Sequence, residues 1–225
     1  MRILVVAAHP DDEVLGCGGT IARKALEGQD VYVGILGEGI TSRDQGSVET
    51  LRACSRKVAK LLGARDLFLY GLPDNRFDTV PLLDVTRIVE ELIERLRPQV
   101  IYTHHGGDLN MDHVVAHRAV LTAARPVPGQ PVKEIYAFEV PSSTEWAFQQ
   151  FHPPFHPNVF VDVSATLDAK VRAMETYESE VRRFPHPRSP EALRAIARRW
   201  GSAVGMEAAE ALELIRAIET TARNR

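Results

Sequence analysis

The most informative segment of the sequence reads Ile3-Leu4-Val5-Val6-Ala7-Ala8-His9-Pro10-Asp11-Asp12-Glu13. Its first six residues are apolar and rich in β-branched side chains, which is typical of a strand buried on both faces of a parallel sheet. The run ends in one imidazole and three carboxylates, and residues 14–26 then follow a helical pattern. The segment therefore predicts the first strand and helix of an α/β fold.

The same alternation continues along the chain. Further strands are predicted at residues 31–36, 67–70 and 100–103, and further helices at 48–62, 85–96 and 112–124. After residue 130 the pattern weakens, and we predict strands at 135–140 and 159–163 and helices at 167–181, 190–200 and 208–221. Alternating strands and helices predict a sheet with helices on both faces and right-handed crossovers. The predicted fold is a single α/β domain over residues 1–225, a Rossmann-like three-layer sandwich with a mostly parallel sheet and added C-terminal strands and helices.

Composition narrows the class of protein. The 225 residues carry 27 lysines and arginines against 30 acidic residues, a formal net charge of -3 that predicts no broad basic surface for nucleic acid or anionic lipid. No apolar run approaches the roughly 18 residues of a membrane span. Cys17 and Cys54 form no CxxC pair, so we expect reduced thiols in a cytoplasmic protein.

Two clusters of titratable residues follow predicted strands. The first comprises His9, Asp11, Asp12 and Glu13, and burying so much negative charge is costly unless a cation compensates it. The second spans residues 104–117 and reads HHGGDLNMDHVVAH. Since ligands of parallel sheets bind beyond the carboxyl ends of the strands, we expect both clusters at one edge of the sheet. Histidine and carboxylate donors without thiolates indicate a catalytic rather than a structural zinc site.

The spacing of these motifs resembles that of a known family. His9-Pro10-Asp11-Asp12-Glu13, followed about a hundred residues later by Asp112-His113, is similar to the motif pair of the PIG-L/LmbE-type zinc deacetylases. Weaker similarities are Thr41-Ser42-Arg43, Arg52, Pro73-Asp74-Asn75, Tyr177-Glu178-Ser179-Glu180 and His186-Pro187-Arg188-Ser189. The resemblance implies an enzyme that removes the N-acetyl group from an N-acetylglucosamine-like sugar or amino-sugar intermediate.

The resemblance also implies roles for individual residues. His9, Asp12 and His113 would hold one Zn²⁺ per chain, although other divalent ions are possible. Asp11 would be the general base for a metal-activated water and would later protonate the leaving amine. Asp112 would support the metal ligands.

One position departs from the family pattern. Several members carry a histidine three residues before the last zinc ligand, where this chain has Asn110. An asparagine donates a hydrogen bond to an oxyanion but cannot act as an acid, so His104, His105 or Asp11 alone are alternatives for that role. The aromatic loop around Trp146 is a candidate lid or stacking surface. Candidate substrate-binding residues are Arg43, Arg52, Asp74, Arg188 and His105.

Three other functions compete with this interpretation. Gly16-Cys17-Gly18-Gly19 resembles a dinucleotide fingerprint, but position 21 is isoleucine and the carboxylates before it would repel a pyrophosphate. A binuclear metallophosphoesterase is an alternative, in which Asp11, Asp12, Asp108, His113 and His117 hold two ions. A non-catalytic sugar- or metal-binding module is the third. The identity of the sugar and the formation of a homo-oligomer stay open.

Overall fold

The computed structural model describes residues 1–40 and 47–219, and in this part of the chain it contains seven strands and six helices. The strands are β1 (Arg2–Ala7), β2 (Asp30–Gly37), β3 (Asp66–Leu72), β4 (Val100–His104), β5 (Glu134–Phe138), β6 (Val159–Asp162) and β7 (Ala209–Ala217). The helices are α1 (Asp12–Leu26), α2 (Val48–Leu61), α3 (Leu82–Leu96), α4 (Met111–Ala123), α5 (Leu167–Thr176) and α6 (Pro190–Ala203). None of these helices is long and apolar enough to span a membrane.

The strands form one mixed sheet in the order β3-β2-β1-β4-β5-β7-β6. The five strands from β3 to β5 run parallel, whereas β7 runs antiparallel to both β5 and β6. The chain winds outward from β1 in one direction to β2 and β3 and in the other to β4 and β5. The strand order therefore reverses between β1 and β4, where ligands of open α/β sheets usually bind.

The alternation of side chains along β1 explains the layered core. Ile3 and Val5 face a cluster with residues of α1, α2, α5 and α6, and Leu4 and Val6 face a second cluster with residues of α3 and α4. Successive side chains of a strand point to opposite faces, so a strand covered on both sides must be apolar throughout. The predicted α/β fold with a mostly parallel sheet and helices on both faces is confirmed.

Two predictions for the C-terminal third are wrong in detail. Residues 208–221 were expected to be helical because alanine, glutamate and leucine favour helices, but the structure has strand β7 there. β7 fills the space between β5 and β6, and Leu212 pairs with Phe138 on one side and Val159 on the other. Pairing on both edges overrides the local preference. The helix predicted at 167–181 ends at Thr176.

Helix α1 is not a regular helix, and the C-terminal elements stabilise its break. Cys17 has non-helical backbone angles, and the Glu210 carboxylate of β7 accepts hydrogen bonds from the backbone N–H groups of Gly19 and Thr20 at 2.9 and 2.7 Å. Lys170 of α5 donates from Nζ to Glu210 at 2.7 Å and to the carbonyl oxygen of Leu15 at 2.9 Å. β7 and α5 therefore fix the helix whose first turn carries the acidic cluster.

Candidate active site

A cavity opens at the carboxyl ends of β1 and β4, where the two titratable clusters meet. His9 follows β1, Asp12 begins α1, and His113 lies in the first turn of α4. Asp12 Oδ2 is 3.1 Å from His9 Nδ1 and 3.3 Å from His113 Nε2, and the ligand atoms of the three residues all lie within 4.8 Å of one another. The structure thus brings together the three residues expected to bind metal.

The surroundings of this triad fit a divalent cation. His9 Nε2 lies 2.9 Å from Asp112 Oδ2, and His113 Nδ1 lies 3.1 Å from Asp108 Oδ1. A carboxylate at the second ring nitrogen fixes the orientation of a metal-binding histidine and raises its basicity. Two imidazole nitrogens and one carboxylate oxygen are a typical catalytic zinc donor set.

The buried carboxylates around the triad attract positive charge. Burial disfavours the imidazolium form, but the carboxylates of Asp112 and Asp12 outweigh burial and raise the pKa of His9 to about 10. In the same way, Asp12 and Asp108 overcome burial and raise the pKa of His113 to about 9. The two rings therefore either carry protons or exchange them for a metal ion.

Asp11 lies beside the triad with a strained backbone and with the guanidinium of Arg188 as a cationic partner. Its φ of 109° is in the left-handed region, and its backbone N–H donates to Glu13 Oε2 at 3.1 Å. Its Oδ2 accepts a hydrogen bond from Arg188 Nη1 at 2.8 Å. Burial raises the pKa of Asp11 to about 8, and the guanidinium of Arg188 counteracts this rise. A carboxyl group whose pKa is raised by burial is suited to accept a proton and give it back during a reaction.

The remaining predicted site residues within the cavity have specific partners. Asn110 caps α4, because its Oδ1 accepts from the backbone N–H of Asp112 at 2.8 Å, and its Nδ2 donates to Asn75 Oδ1 at 3.1 Å. Asp74 is buried with Oδ1 at 3.3 Å from His9 Nε2. Arg188 also donates from Nε to Ser142 Oγ at 2.7 Å.

Two predicted substrate-binding residues lie away from the cavity. Adjacent side chains at the end of a strand point to opposite sides, and His104 packs on the His113 ring, with centroids 4.0 Å apart. His105 therefore points the other way, with Nε2 at 2.8 Å from the Pro153 carbonyl oxygen. Arg52 lies on α2 and is not among the described residues that line the cavity. Arg43 lies outside the described residues.

The residues proposed for a binuclear centre are only partly brought together. His117 Nδ1 lies 2.9 Å from the carbonyl oxygen of His104, outside the cavity. Asp108 accepts hydrogen bonds from the hydroxyl groups of Ser143 and Thr144. His9, Asp74 and Asp112 form a second group with metal-ligand spacing in the described chain, but it shares His9 with the first group.

Two sets of supporting residues could not be identified from the sequence. Asp108, which the binuclear alternative makes a ligand of a second ion, faces His113 and accepts from the backbone N–H of Asn110, and its hydroxyl partners come from the loop after β5. Behind Asp11, the buried Tyr177 hydroxyl donates to Glu13 Oε1 at 2.7 Å and lies 3.0 Å from Ser55 Oγ. The only sequence signal for this chain of contacts is the motif at residues 177–180, whose partners are distant in sequence.

Comparison with known proteins gives the same family as the motifs. The family model described as PIG-L, GlcNAc-PI de-N-acetylase, matches residues 4–124. The uncharacterized deacetylase YaiS from Escherichia coli is 29% identical over 183 residues, which cover 79% of this chain and 90% of that protein. Diacetylchitobiose deacetylase from Thermococcus kodakarensis is 24% identical over 225 residues, which cover 95% of this chain and 83% of that protein. The crystal structure of the conserved protein TT1542 from Thermus thermophilus superposes with a TM-score of 0.78 at 28% identity, covering 99% of this chain and 98% of that one. Because the family model spans more than half of the 225 residues, the chain belongs to the PIG-L family of GlcNAc-PI de-N-acetylases.

Proposed function

We propose that the protein is a zinc-dependent hydrolase that removes the N-acetyl group from an N-acetylglucosamine-like sugar or amino-sugar intermediate. Family membership and relatives named as deacetylases support the reaction class. The observation that carries the proposal is the position of Asp11, whose carboxylate lines the same cavity as the triad of His9, Asp12 and His113.

The triad would hold one divalent cation, which supplies Lewis-acid polarisation of the amide carbonyl and lowers the pKa of water. Asp11 accepts a proton from the attacking water as the new C–O bond forms at the acetyl carbon. It then delivers that proton to the sugar nitrogen as the C–N bond breaks, so that a free amine and acetic acid leave, and the acid ionises to acetate in water. Arg188 lies against Asp11 and favours its carboxylate form before the reaction.

Other residues around the cavity position the metal ligands and the substrate. Asp112 orients His9 through the 2.9 Å contact to Nε2. Asn110 Nδ2 carries two hydrogens, of which Asn75 accepts one, and the second would donate to the carbonyl oxygen as it gains negative charge. Asp74 and Arg188 would bind sugar hydroxyl groups from the cavity wall, and Arg43 is proposed from sequence alone.

The first test compares wild type with Asp11→Asn for metal content and for acetate release from a panel of N-acetyl sugars. We expect one metal ion per chain in both proteins and a loss of turnover of roughly 10²–10⁴-fold in the variant, the usual contribution of a general base. Asp78→Asn makes the same change at an exposed carboxylate and serves as the control. Two metal ions per chain with phosphate-ester cleavage and no acetate would favour the phosphoesterase instead. Metal and sugar binding with no turnover in any variant would favour the non-catalytic module.

Three broader assignments stay predictions from the sequence: the single domain over residues 1–225, the cytoplasmic location and the formation of a homo-oligomer. Limited proteolysis, cell fractionation and a mass measurement in solution would test them in turn.

A further inference from the structure

The mouth of the catalytic cavity differs in chemistry from its floor. The floor consists of buried histidine and aspartate side chains, among them His9 and Asp12. The mouth carries Leu109, Met111 and Trp146, which we call the apolar rim and which are 47%, 55% and 41% exposed. All three line the same cavity, whose volume is about 410 Å³. A ligand that fills it therefore meets charged groups at one end and apolar groups at the other.

The backbone that carries Leu109 and Met111, and the ring of Trp146, have specific contacts. Leu109 and Met111 flank Asn110, whose cap of α4 and bond to Asn75 fix the turn between them. Trp146 lies in a 3-10 turn, Glu145–Ala147, and its ring packs edge-on against His186 with centroids 5.6 Å apart. An apolar side chain that is already positioned, as the Trp146 ring is, loses little conformational entropy when a ligand covers it.

Exposed apolar groups rimmed by polar ones usually mark a ligand groove or an interface. A free amino sugar carries hydroxyl groups around its ring and would leave the apolar rim in water. Small-ligand sites combine apolar walls with a few placed polar groups, and this cavity has both.

We infer that the substrate is an N-acetylated amino sugar with an apolar aglycone, an aromatic or alkyl group that packs against the apolar rim while the acetamide lies on the floor. This inference rests on the proposed deacetylase function and specifies its substrate class.

The test compares kcat/KM for phenyl and methyl glycosides of N-acetylglucosamine, in both anomers, with the metal-loaded protein. We expect the phenyl glycoside of the productive anomer to be preferred at least about tenfold, which corresponds to ~1.4 kcal/mol. Leu109→Gln, Met111→Gln and Trp146→Gln should each lower this ratio at least about threefold, since one apolar contact contributes on this scale. Leu83→Gln changes a leucine that is 57% exposed on α3, outside the cavity lining, and should keep the ratio.

Equal kcat/KM values for the two glycosides would overturn the inference, as would a preference that survives all three rim substitutions. Sedimentation of the same variants tests the competing occupant. A dimer that dissociates on rim substitution, with the preference unchanged, would assign the rim to a second copy of the chain.

If neither glycoside yields acetate, the proposed function fails. Calorimetry then measures how tightly each glycoside binds, which tests the apolar rim independently of turnover. Binding of the phenyl glycoside at least about tenfold tighter than the methyl one, lost in Met111→Gln, would still support it; equal binding would overturn it.

Discussion

At the scale of single residues, the candidate site depends on carboxylates that never need to touch a substrate. Asp112 lies 2.9 Å from His9 Nε2 and Asp108 lies 3.1 Å from His113 Nδ1, in each case the ring nitrogen that does not face Asp12. Such partners set the tautomer and orientation of a metal-binding histidine, and their loss typically weakens metal binding by roughly 10–100-fold. The strength of the proposed metal site is therefore set partly by residues behind the ligands.

Asp108→Asn tests this dependence with little change in shape. Ser143 and Thr144 donate to different oxygens of Asp108, so the amide keeps one of these two bonds, and it no longer places a negative charge beside His113. We expect zinc affinity to fall by roughly 10–100-fold, measured by competition with a chelating dye. Acetate release should fall at limiting zinc and recover as zinc is added. Asp84→Asn, at an exposed position on α3, is the control; unchanged zinc affinity in Asp108→Asn would contradict the orienting role.

At the scale of elements, the C-terminal third supports the helix that carries Asp12. Lys170 and Glu210 form a buried ion pair that also satisfies three backbone groups of α1, those of Leu15, Gly19 and Thr20. Breaking a buried pair by removing one partner leaves an uncompensated charge, whereas replacing both partners is often tolerated.

Lys170→Met should therefore destabilise the protein by roughly 3–5 kcal/mol, measured by urea unfolding monitored by circular dichroism. Lys170→Met combined with Glu210→Gln should recover part of this loss, since the amide carries no charge and still accepts from one of the two backbone N–H groups of α1. Arg194→Met breaks an exposed ion pair with Asp168 and should have little effect. Equal destabilisation by the buried and the exposed substitution would mean that the pair does not stabilise α1.

The elements also show how far the sequence alone could predict the structure. The continuous apolar run of β1 and the helical periodicity after it are local signals, and parallel order then predicts that His9 and His113 lie at neighbouring strand ends. β7 gave no such signal, because its alanine-, glutamate- and leucine-rich composition favours a helix and only pairing with β5 and β6 makes it a strand. The direction of His105 likewise depends on where β4 ends, at His104. Contacts such as Ser143 with Asp108 join segments that no local pattern connects.

At the scale of the whole molecule, the proposed metal would join parts of the chain that the sheet brings together. His9 and Asp12 belong to the first strand–helix unit, and His113 belongs to the fourth, about a hundred residues later. The unfolded chain does not hold these ligands together, so a metal bound at the triad stabilises the folded state alone.

Removal of metal should consequently lower the stability of the entire domain. Zinc at about 100 times its dissociation constant should stabilise the fold by ~2.7 kcal/mol relative to protein in excess chelator, seen as a higher Tm in calorimetry. The shift should grow with zinc concentration, because it follows mass action. His113→Ala provides the matched control: it removes one ligand together with the ring's contacts to His104 and Asp108, so its own Tm is the reference, and that Tm should respond much less to zinc. If zinc raises the Tm of wild type and His113→Ala equally, the ion binds elsewhere on the protein. If zinc shifts neither, the triad is no metal site, and the acidic floor is compensated by protonated His9 and His113 instead.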